Sequence, residues 1–379
     1  MKLVPLDEVS ESVEYGVTAS AEHSPVGPKF LRITDIQDGA VDWESVPWCP
    51  REPSSKNAQL RSGDIVFART GATTGKSYLI RECPDDAVFA SYLIRVRLRE
   101  VADPSFVSHF FQTPAYWSQI TKSARGVAQP GVNATTLRSL EIPLPPLPEQ
   151  RRIAEVLDRA EALRTKRRAA LAQLDTLTQS IFLDLFGDPT TNPKGWPRRP
   201  LKELGRVATG GTPPGAKEGM FGGSVPFVTP GDLDSSNPIK RTLTEEGAAE
   251  VVTVREGSAL VCCIGATIGK MGIARERSAF NQQINAVEWG PDVNDLFGIG
   301  VLQFFKRTIA QQGASTTLPI LKKSSFEKIE IPAPPGPLQQ DFARRIAAVE
   351  KLKSAQRASL GELDALFASL QHRAFRGEL

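Results

Sequence analysis

Two stretches of the chain carry apolar residues at the seven-residue spacing that is typical of long, packed helices. The stretch 149–186 contains no glycine or proline and stops at Gly187-Asp188-Pro189, a strong helix-ending signal. The spacing predicts two columns of side chains on one helix face, both here and after residue 338. The first column holds Ile153, Ala160, Arg167, Leu174 and Ile181, or Phe342, Val349, Gln356, Leu363 and Leu370. The second column holds Val156, Leu163, Ala170 and Leu177, or Arg345, Leu352, Ser359 and Leu366.

Elsewhere the apolar runs are short and lie between turn residues. Strands are predicted for 64–68, 92–98, 259–264 and 284–287, because runs of this length between Gly, Pro, Asn and Asp are typical of strands. Short helices are predicted over 106–120 and 295–311. The mixture predicts globular parts of the α/β (α+β) class that alternate with the two long helices.

The sequence contains an internal repeat. Residues 63–76 (GDIVFARTGATTGK) match 257–270 (GSALVCCIGATIGK) at an offset of 194 residues. The EIPLPP of 141–146 matches the EIPAPP of 330–335 at an offset of 189, and residues 6–9 match 201–204 at an offset of 195. Three matches in one order, at nearly one offset, indicate a tandem duplication of a unit of about 190 residues.

In each copy a proline run leads from the mixed part into the long helix. The runs IPLPPLPEQ (142–150) and IPAPPGPLQQ (331–340) favour an extended, stiff connector. Proline is tolerated in the first turn of a helix, so Pro148 and Pro337 are predicted to open the helices.

Because both helices derive from one repeated unit, we expect them to pair with each other as an antiparallel coiled coil with pseudo-twofold symmetry. The residues expected in this coiled coil, or in docking to a partner subunit, are Ile153, Leu157, Leu163, Leu174, Ile181, Phe342, Ile346, Leu352, Leu363 and Leu370. Both helices also carry a long polar residue in one layer, Arg167 and Gln356. That layer is either a tolerated gap or a device that disfavours slipped pairing.

Composition narrows the classes of function. The 379 residues are 40% hydrophobic and 23% charged, which is the balance of a globular protein. The net charge is +3, because 46 Lys and Arg residues are nearly balanced by 43 Asp and Glu residues. This charge is too small for a protein that binds nucleic acid by charge alone. Four cysteines without metal-ligand spacing are typical of reduced, cytoplasmic thiols. We expect no signal peptide, because the start MKLVPLDEVS has no apolar core. We expect no membrane span, because no apolar run reaches about 18 residues.

The motif GATTGKS (71–77) admits three interpretations. A nucleotide-binding P-loop needs four residues between its glycine and GK, whereas three intervene here. The second copy, GATIGKM (265–271), also lacks the Ser or Thr that would hold magnesium. The motif is alternatively a tight turn between two strands. Finally, it could be a loop whose backbone amides, Thr and Lys contact a phosphate backbone.

Two similar modules on a helical spacer suit a protein that reads two separated sites on duplex DNA. B-DNA repeats every ~34–36 Å, so a rigid spacer would set the distance between half-sites. A scaffold whose modules grip proteins is the alternative. Arg, Gln and Asn read guanine and adenine edges, and Lys and Thr suit phosphates. The expected DNA contacts are Arg69, Thr73, Lys76, Arg125, Gln129, Asn133, Thr267, Lys270, Gln312 and Thr316.

The sequence gives little support to an enzymatic function. The sequence contains no NPPY-type tetrapeptide, no GxGxxG after a strand, and no GxSxG or HExxH motif. Its three histidines lie far apart in sequence.

Taken together, these residues resemble the specificity (S) subunits of type I restriction–modification systems. The resemblance is carried by EIPLPPLPEQRRIAEVL (141–157), FLDLFGDP (182–189), NPKGW (192–196) and RAFRGEL (373–379). The GATxGK turn in each copy and the order of module, helix, module, helix belong to the same pattern. The proline connector that leads into a long helix, present twice, is its most specific part.

The resemblance implies a noncatalytic subunit whose two target recognition domains, at 1–143 and 188–332, each read half of a bipartite DNA site. The connectors and spacer helices would occupy 144–187 and 333–379. The helices would dock two modification subunits, which bind S-adenosylmethionine and methylate adenine. Restriction subunits that use ATP and Mg²⁺ would join them, while this chain would bind no cofactor or metal. The complex would be cytoplasmic.

Overall fold

The computed structural model describes residues 1–37, 39–51, 57–123, 131–214, 218–234, 238–313 and 319–379. The chain divides into two compact units. Unit 1 consists of Met1–Arg168 and Ala358–Leu379, and unit 2 consists of Ala169–Arg357. Each unit therefore contains one mixed α/β part and a segment of each long helix.

Unit 1 begins with short strands and ends in the long helix that continues into unit 2. Its described strands are β1 (Leu3–Pro5), β2 (Ser10–Tyr15), β3 (Lys29–Leu31), β4 (Ile36–Gln37), β5 (Ala40–Val41), β6 (Ile65–Ala68), β7 (Ser77–Leu79), β8 (Ala87–Phe89), β9 (Leu93–Leu98) and β10 (Glu141–Pro143). Its helices are α1 (Leu6–Val9), α2 (Pro104–Phe110), α3 (Pro114–Ser123), α4 (Ala134–Arg138), the first part of α5 (Leu147–Phe186) and the last part of α11 (Gly336–Arg376).

Within the described residues, unit 2 repeats most of this order and adds a helix, Glu245–Ala249, between two of its strands. Its described strands are β11 (Arg198–Pro200), β12 (Gly205–Thr209), β13 (Phe221–Val228), β14 (Thr242–Leu243), β15 (Thr253–Val254), β16 (Ala259–Cys262), β17 (Met271–Ile273), β18 (Ser278–Phe280), β19 (Ile284–Trp289) and β20 (Glu330–Pro332). Its helices are the last part of α5, α6 (Leu201–Leu204), α7 (Glu245–Ala249), α8 (Asp295–Phe304), α9 (Lys306–Gly313), α10 (Lys323–Phe326) and the first part of α11.

The main sheet has the same topology in both units. Strands β2-β9-β6-β7 form an antiparallel sheet in unit 1, and β12-β19-β16-β17 form its counterpart in unit 2. A parallel pair also recurs, β3 with β8 and β13 with β18. The central strands β6 (IVFA) and β16 (ALVC) are buried at every position, which explains their continuous apolar runs. The predicted duplication and fold class are thus confirmed.

Each of the two short helices predicted from the sequence is divided into two helices in the structure. The prediction over 106–120 is replaced by α2 and α3, since Pro114 lacks the amide that a continuous helix would need. The prediction over 295–311 is replaced by α8 and α9, with a break at Phe305. Both α2 and α8 begin at a capping side chain, Asp103 and Asn294 respectively, which accepts hydrogen bonds from the first turn.

The proline connectors start as strands. Ile142 pairs with Val4 in β1, and Ile331 pairs with Arg199 in β11, so each connector closes its own mixed part before the helix begins. Helix α5 begins at Leu147 and α11 begins at Gly336, with Pro148 and Pro337 as second residues. The helices therefore open at equivalent positions, as the prolines predict.

A buried glutamine fixes each helix to its mixed part. The Gln150 side chain accepts from the Asp103 amide at 2.8 Å and donates to the carbonyls of Val101 (3.0 Å) and Pro145 (2.8 Å). Gln339 makes the same three bonds in unit 2, to the Asn294 amide and to the carbonyls of Asp292 and Pro334, which are the equivalent positions. Both glutamines are almost fully buried, so all their polar atoms need such partners.

The two long helices lie antiparallel within each unit. In unit 1, Arg164 on α5 contacts Asp364 on α11, while Arg152 contacts Leu379. In unit 2, Lys353 on α11 contacts Asp175 on α5. The apolar residues of these segments join the core of their own unit, through Ile153, Leu157, Phe367 and Ala374 in unit 1, and Phe182, Phe186, Phe342 and Ile346 in unit 2.

The second predicted column of the helices is wrong by one position. Leu163, Leu177, Leu352 and Leu366 are 52%, 43%, 53% and 50% exposed, although the pattern placed them in the seam. The buried column runs one residue later, through Leu157 and Arg164 on α5 and through Ile346 and Lys353 on α11. The first column is buried or half-buried throughout, including Leu174, Ile181, Leu363 and Leu370.

Candidate nucleic-acid interface

The GATTGK segment is a tight turn that joins β6 to β7. Its chain reverses because Gly71 and Gly75 adopt positive φ angles of 85° and 82°, a region that favours glycine. The Gly75 amide donates to the Ala68 carbonyl at 2.9 Å, and the Lys76 amide donates to the Thr73 carbonyl at 2.9 Å. The Tyr116 hydroxyl on α3 donates to the Gly75 carbonyl at 2.5 Å and so holds the turn against the helix.

The GATIGK segment forms the same turn in unit 2, between β16 and β17. The Gly269 amide donates to the Cys262 carbonyl at 2.8 Å, and the Lys270 amide donates to the Thr267 carbonyl at 3.0 Å. Gly269 has a φ of 87°, and a Cβ there would lie 3.1 Å from the Lys306 carbonyl on α9. The two motifs therefore form the same turn in both units.

This geometry favours the turn over a nucleotide-binding loop. A P-loop leads into a helix and turns its amides towards phosphates, whereas these segments lead into β7 and β17. The amides of Gly75 and Lys76 already bond to carbonyls of the same hairpin. These two amides are therefore not available to a phosphate backbone.

The predicted contact residues of the turns lie at the surface. Arg69 and Lys76 are exposed and Thr73 is half-buried in unit 1. In unit 2, Thr267 is exposed, with its hydroxyl 3.4 Å from the Cys262 sulfur, and Lys270 is half-buried.

The other expected DNA contacts lie only partly within the described residues. Arg125, Gln129 and Thr316 lie outside the described residues. Asn133 is exposed, and its side chain accepts from the Thr136 amide at 2.8 Å, so that it caps α4. Gln312 is exposed near the end of α9.

Three residues lie together at the end of the sheet in unit 1, and two of them were not predicted. Tyr15 ends β2, Arg69 follows β6, and Tyr92 precedes β9. The Arg69 guanidinium lies 5.0 Å from the centre of the Tyr15 ring, and the Arg69 amide donates to the Tyr92 carbonyl at 3.0 Å. Tyr92 is 67% exposed, which is unusual for a large aromatic side chain. The sequence did not predict this exposure, because Tyr92 begins the apolar run 92–98, which is typical of a buried strand.

The equivalent end of the sheet in unit 2 carries amides and hydroxyls. The Cys263 amide donates to the Gln283 carbonyl at 2.7 Å, which repeats the bond between Arg69 and Tyr92. The Thr212 hydroxyl donates to the exposed Gln282 side chain at 2.9 Å, and the Thr209 hydroxyl donates to Asn285 at 2.7 Å. The backbone arrangement is thus repeated with different side chains.

The exposed leucines of the long helices also recur in both units. Unit 1 exposes Leu163 on α5 and Leu366 on α11, and unit 2 exposes Leu352 on α11 and Leu177 on α5. An offset of 189 residues relates Leu163 to Leu352 and Leu177 to Leu366. Each unit therefore presents the same pair of apolar side chains to solvent.

Two other kinds of site are absent from the described ranges. There, no three His, Cys, Asp or Glu side chains group closely enough to hold a metal ion. No helix in that part of the chain combines the length and the apolar content that crossing a bilayer requires.

Comparisons with known proteins agree with the repeat. A family model described as type I restriction modification DNA specificity domain matches residues 8–173 and 193–361. The chain is 21% identical to a Methanocaldococcus jannaschii protein named for the specificity subunit of the type I restriction enzyme MjaX, over 99% of this chain and 92% of that protein. It is 26% identical to the type I restriction enzyme EcoKI specificity subunit of Escherichia coli (strain K12), over 49% of this chain and 42% of that protein.

A solved structure shares the fold. The crystal structure of a type I restriction–modification system S subunit from M. genitalium matches with a TM-score of 0.62 at 14% identity, over 99% of this chain and 96% of that chain.

Proposed function

The chain belongs to the family of type I restriction–modification DNA specificity domains, and we propose that it is the noncatalytic subunit that selects the DNA site of such a complex. Each unit reads one half of a bipartite site with the sheet end from which its GATxGK turn projects. One observation carries the proposal: the two units repeat one backbone arrangement there and present different side chains. Two unlike half-sites would require such a scaffold.

The proposed domain boundaries follow the strands that close each mixed part. Residues 1–143 and 188–332 are the two target recognition domains, and 144–187 and 333–379 are the connectors and spacer helices. The pairing of β1 with β10 and of β11 with β20 supports these boundaries, because β10 ends at Pro143 and β20 ends at Pro332.

Within each domain, the turn side chains are proposed to contact phosphates. Lys76 and Lys270 are cations at equivalent positions, and Thr73 and Thr267 are hydroxyl donors three residues earlier. Gln312 and Asn133, together with Arg125, Gln129 and Thr316, stay predictions as further contacts.

The repeated leucine pairs are proposed to dock two modification subunits. Each unit exposes two leucines at equivalent positions, so two identical partners can bind in the same way. The net charge of +3 supports such sharing, since partners can supply much of the nonspecific attraction to DNA.

The chemistry of the proposed complex lies on the partners. Modification subunits bind S-adenosylmethionine and methylate an adenine that leaves the base stack. Restriction subunits bind ATP and Mg²⁺. This chain contributes specificity and assembly, and we place the complex in the cytoplasm.

The experiment is a methylome of cells that express the modification subunits with and without this chain. The expected result is adenine methylation at one bipartite motif that appears only when the chain is present. Identical methylomes would contradict the proposal. DNA binding by the assembled complex that does not weaken as salt rises would instead favour a scaffold whose modules grip proteins.

A further inference from the structure

The sheet ends of the two units can be compared position by position. Arg69 and Cys263 follow the equivalent strands β6 and β16, and each amide donates to the carbonyl of the residue that precedes the neighbouring strand. That residue is Tyr92 in unit 1 and Gln283 in unit 2. The Arg69 carbonyl also accepts from the Val132 amide at 2.9 Å, as the Cys263 carbonyl accepts from the Leu321 amide at 2.8 Å. The scaffold is shared, so differences in side chains determine what each end can recognise.

In unit 1 the scaffold presents an oriented guanidinium. Among the described residues, no carboxylate lies within ion-pair distance of Arg69, and no side-chain hydrogen bond engages its five N–H donors. Its face is held instead over the Tyr15 ring at 5.0 Å. The Tyr15 hydroxyl in turn accepts from the Ala134 amide at 3.0 Å, which fixes the ring. Stacking leaves the edge of the guanidinium free to donate.

In unit 2 the equivalent position cannot donate in this way. Cys263 is buried, and burial raises the pKa of its thiol to about 12, so that it stays neutral. Next in sequence to Gln283, which bonds to Cys263, Gln282 exposes its side-chain amide, whose oxygen accepts from the Thr212 hydroxyl at 2.9 Å. That bond leaves one oxygen lone pair and the NH₂ group for a ligand.

We propose that Arg69, held by Tyr15, reads a guanine in one half-site and that Gln282, held by Thr212, reads an adenine in the other. The inference rests on the proposed function and names the bases that its two sheet ends select. A guanidinium donates two hydrogen bonds to O6 and N7 of guanine, and an amide pairs with N6 and N7 of adenine. Loss of one such pair lowers discrimination between bases about tenfold to hundredfold.

The test is the methylome of the full complex with wild-type, Arg69→Ala, Arg69→Lys and Gln282→Ala chains. Arg69→Ala should remove the requirement for one guanine in one half-site and leave the other half-site unchanged. Gln282→Ala should relax one adenine in the opposite half-site. Arg69→Lys keeps the charge but loses the planar fork, so methylation should continue with weaker preference for that guanine. Arg99→Ala is the matched control, because Arg99 is an exposed arginine at the opposite end of β9.

The outcomes distinguish a failure of the proposed function from a failure of this inference. A wild-type chain that produces no bipartite motif would overturn the proposed function and this inference together. A bipartite wild-type motif that stays unchanged in Arg69→Ala and Arg69→Lys would overturn the inference alone. Equal weakening at all sequences, measured as Kd on a panel of duplexes, would also overturn it, because that result identifies a phosphate contact. If Arg69→Ala abolishes all methylation, Arg69→Lys is compared with wild type on the same panel of duplexes. A weaker preference for that guanine supports the inference, and an unchanged preference overturns it.

Discussion

Lys353 on α11 lies 2.9 Å from Asp175 on α5, and the same contact joins Arg164 to Asp364 in unit 1 at 2.6 Å. The cations are related by an offset of 189 residues, and so are the acids. Each cation also contacts an acid three residues earlier on its own helix, Glu350 for Lys353 and Glu161 for Arg164. Burial disfavours the charge on Lys353, but these carboxylates outweigh it and raise its pKa above the ordinary value. An ion cluster is therefore part of the helix pairing in both units, with its cation largely buried and its acids exposed in part.

We expect Asp175→Ala to lower the free energy of unfolding by about 1 kcal/mol, because Lys353 then keeps only the acid on its own helix. Lys353→Met with Asp175→Ala should recover most of this loss, since no buried charge is left without its partner. Urea unfolding of the single and double variants measures the coupling. Glu155→Ala is the control, because its pair with Arg159 is exposed and should contribute little. Equal losses in the single and double variants would contradict the coupling.

These clusters explain why the second helix column was mispredicted. Starting from Ile153, both Val156 and Leu157 are apolar, so the spacing alone permits either column. Further along, the sequence offers Leu163 in one column and Arg164 in the other, and hydrophobicity favours the leucine. The structure leaves the Arg164 side chain only 17% exposed, because Asp364, on the other helix, neutralises it. Such a partner lies 200 residues away in sequence and cannot be seen in a local pattern.

The repeat, in contrast, made much of the fold predictable. It identified the GATxGK turn in both units and the equivalent starts of α5 and α11. The exposed Tyr92 and the support of Arg69 by Tyr15 were not predictable, because they depend on which strands end side by side. Sheet order is a tertiary property, and neither residue has a counterpart of the same type in the other unit.

The buried glutamines allow a sharp test of how each helix is attached. Gln150→Glu replaces two N–H donors with an acidic group that faces two carbonyls, and it should lower the free energy of unfolding by about 3 kcal/mol. Gln339→Glu should have the same effect, since its three bonds are equivalent. Arg151→Ala, at the exposed neighbour, should change little. Unfolding measured by urea checks all three variants, and a wild-type value for Gln150→Glu would refute the attachment.

Asp158 predicts a dependence of stability on pH. Burial opposes its charge, but hydrogen bonds from His109, Ser105 and Arg81 outweigh this and hold its pKa well below the usual range. A carboxyl with a lowered pKa in the folded state stabilises fully above its unfolded pKa of about 4, and the contribution fades as pH falls further. Asp158→Asn should therefore destabilise at pH 7, and its difference from wild type should shrink below about pH 4. The exposed Asp184→Asn should show no such trend, and a gap of constant size would contradict the assignment.

The repeated leucines predict how many partners bind. Leu163→Glu with Leu366→Glu should remove one modification subunit, and adding Leu352→Glu with Leu177→Glu should remove both. The reason is that a charge placed in an apolar contact must be desolvated without a counterion. Native mass spectrometry of the complex counts the subunits. Leu183→Glu is the control, because Leu183 is also exposed but lies outside both pairs. Full occupancy in the fourfold variant would show that docking lies elsewhere.

The spacing between half-sites can be tested by lengthening both helices together. The boundary between units falls after Arg168 in α5 and after Arg357 in α11, which are equivalent positions at an offset of 189 residues. Seven residues inserted at both points preserve the heptad phase of each seam and add about 10 Å of helix. If the helices set the spacer, the methylated motif should gain roughly three base pairs between its halves, at 3.4 Å each, with both half-sites unchanged. Insertion into α5 alone shifts one helix against the other and parts Arg164 or Lys353 from its acid, so it should destabilise the chain instead. If the double insertion leaves the number of base pairs between the half-sites unchanged, the helices do not set that spacing.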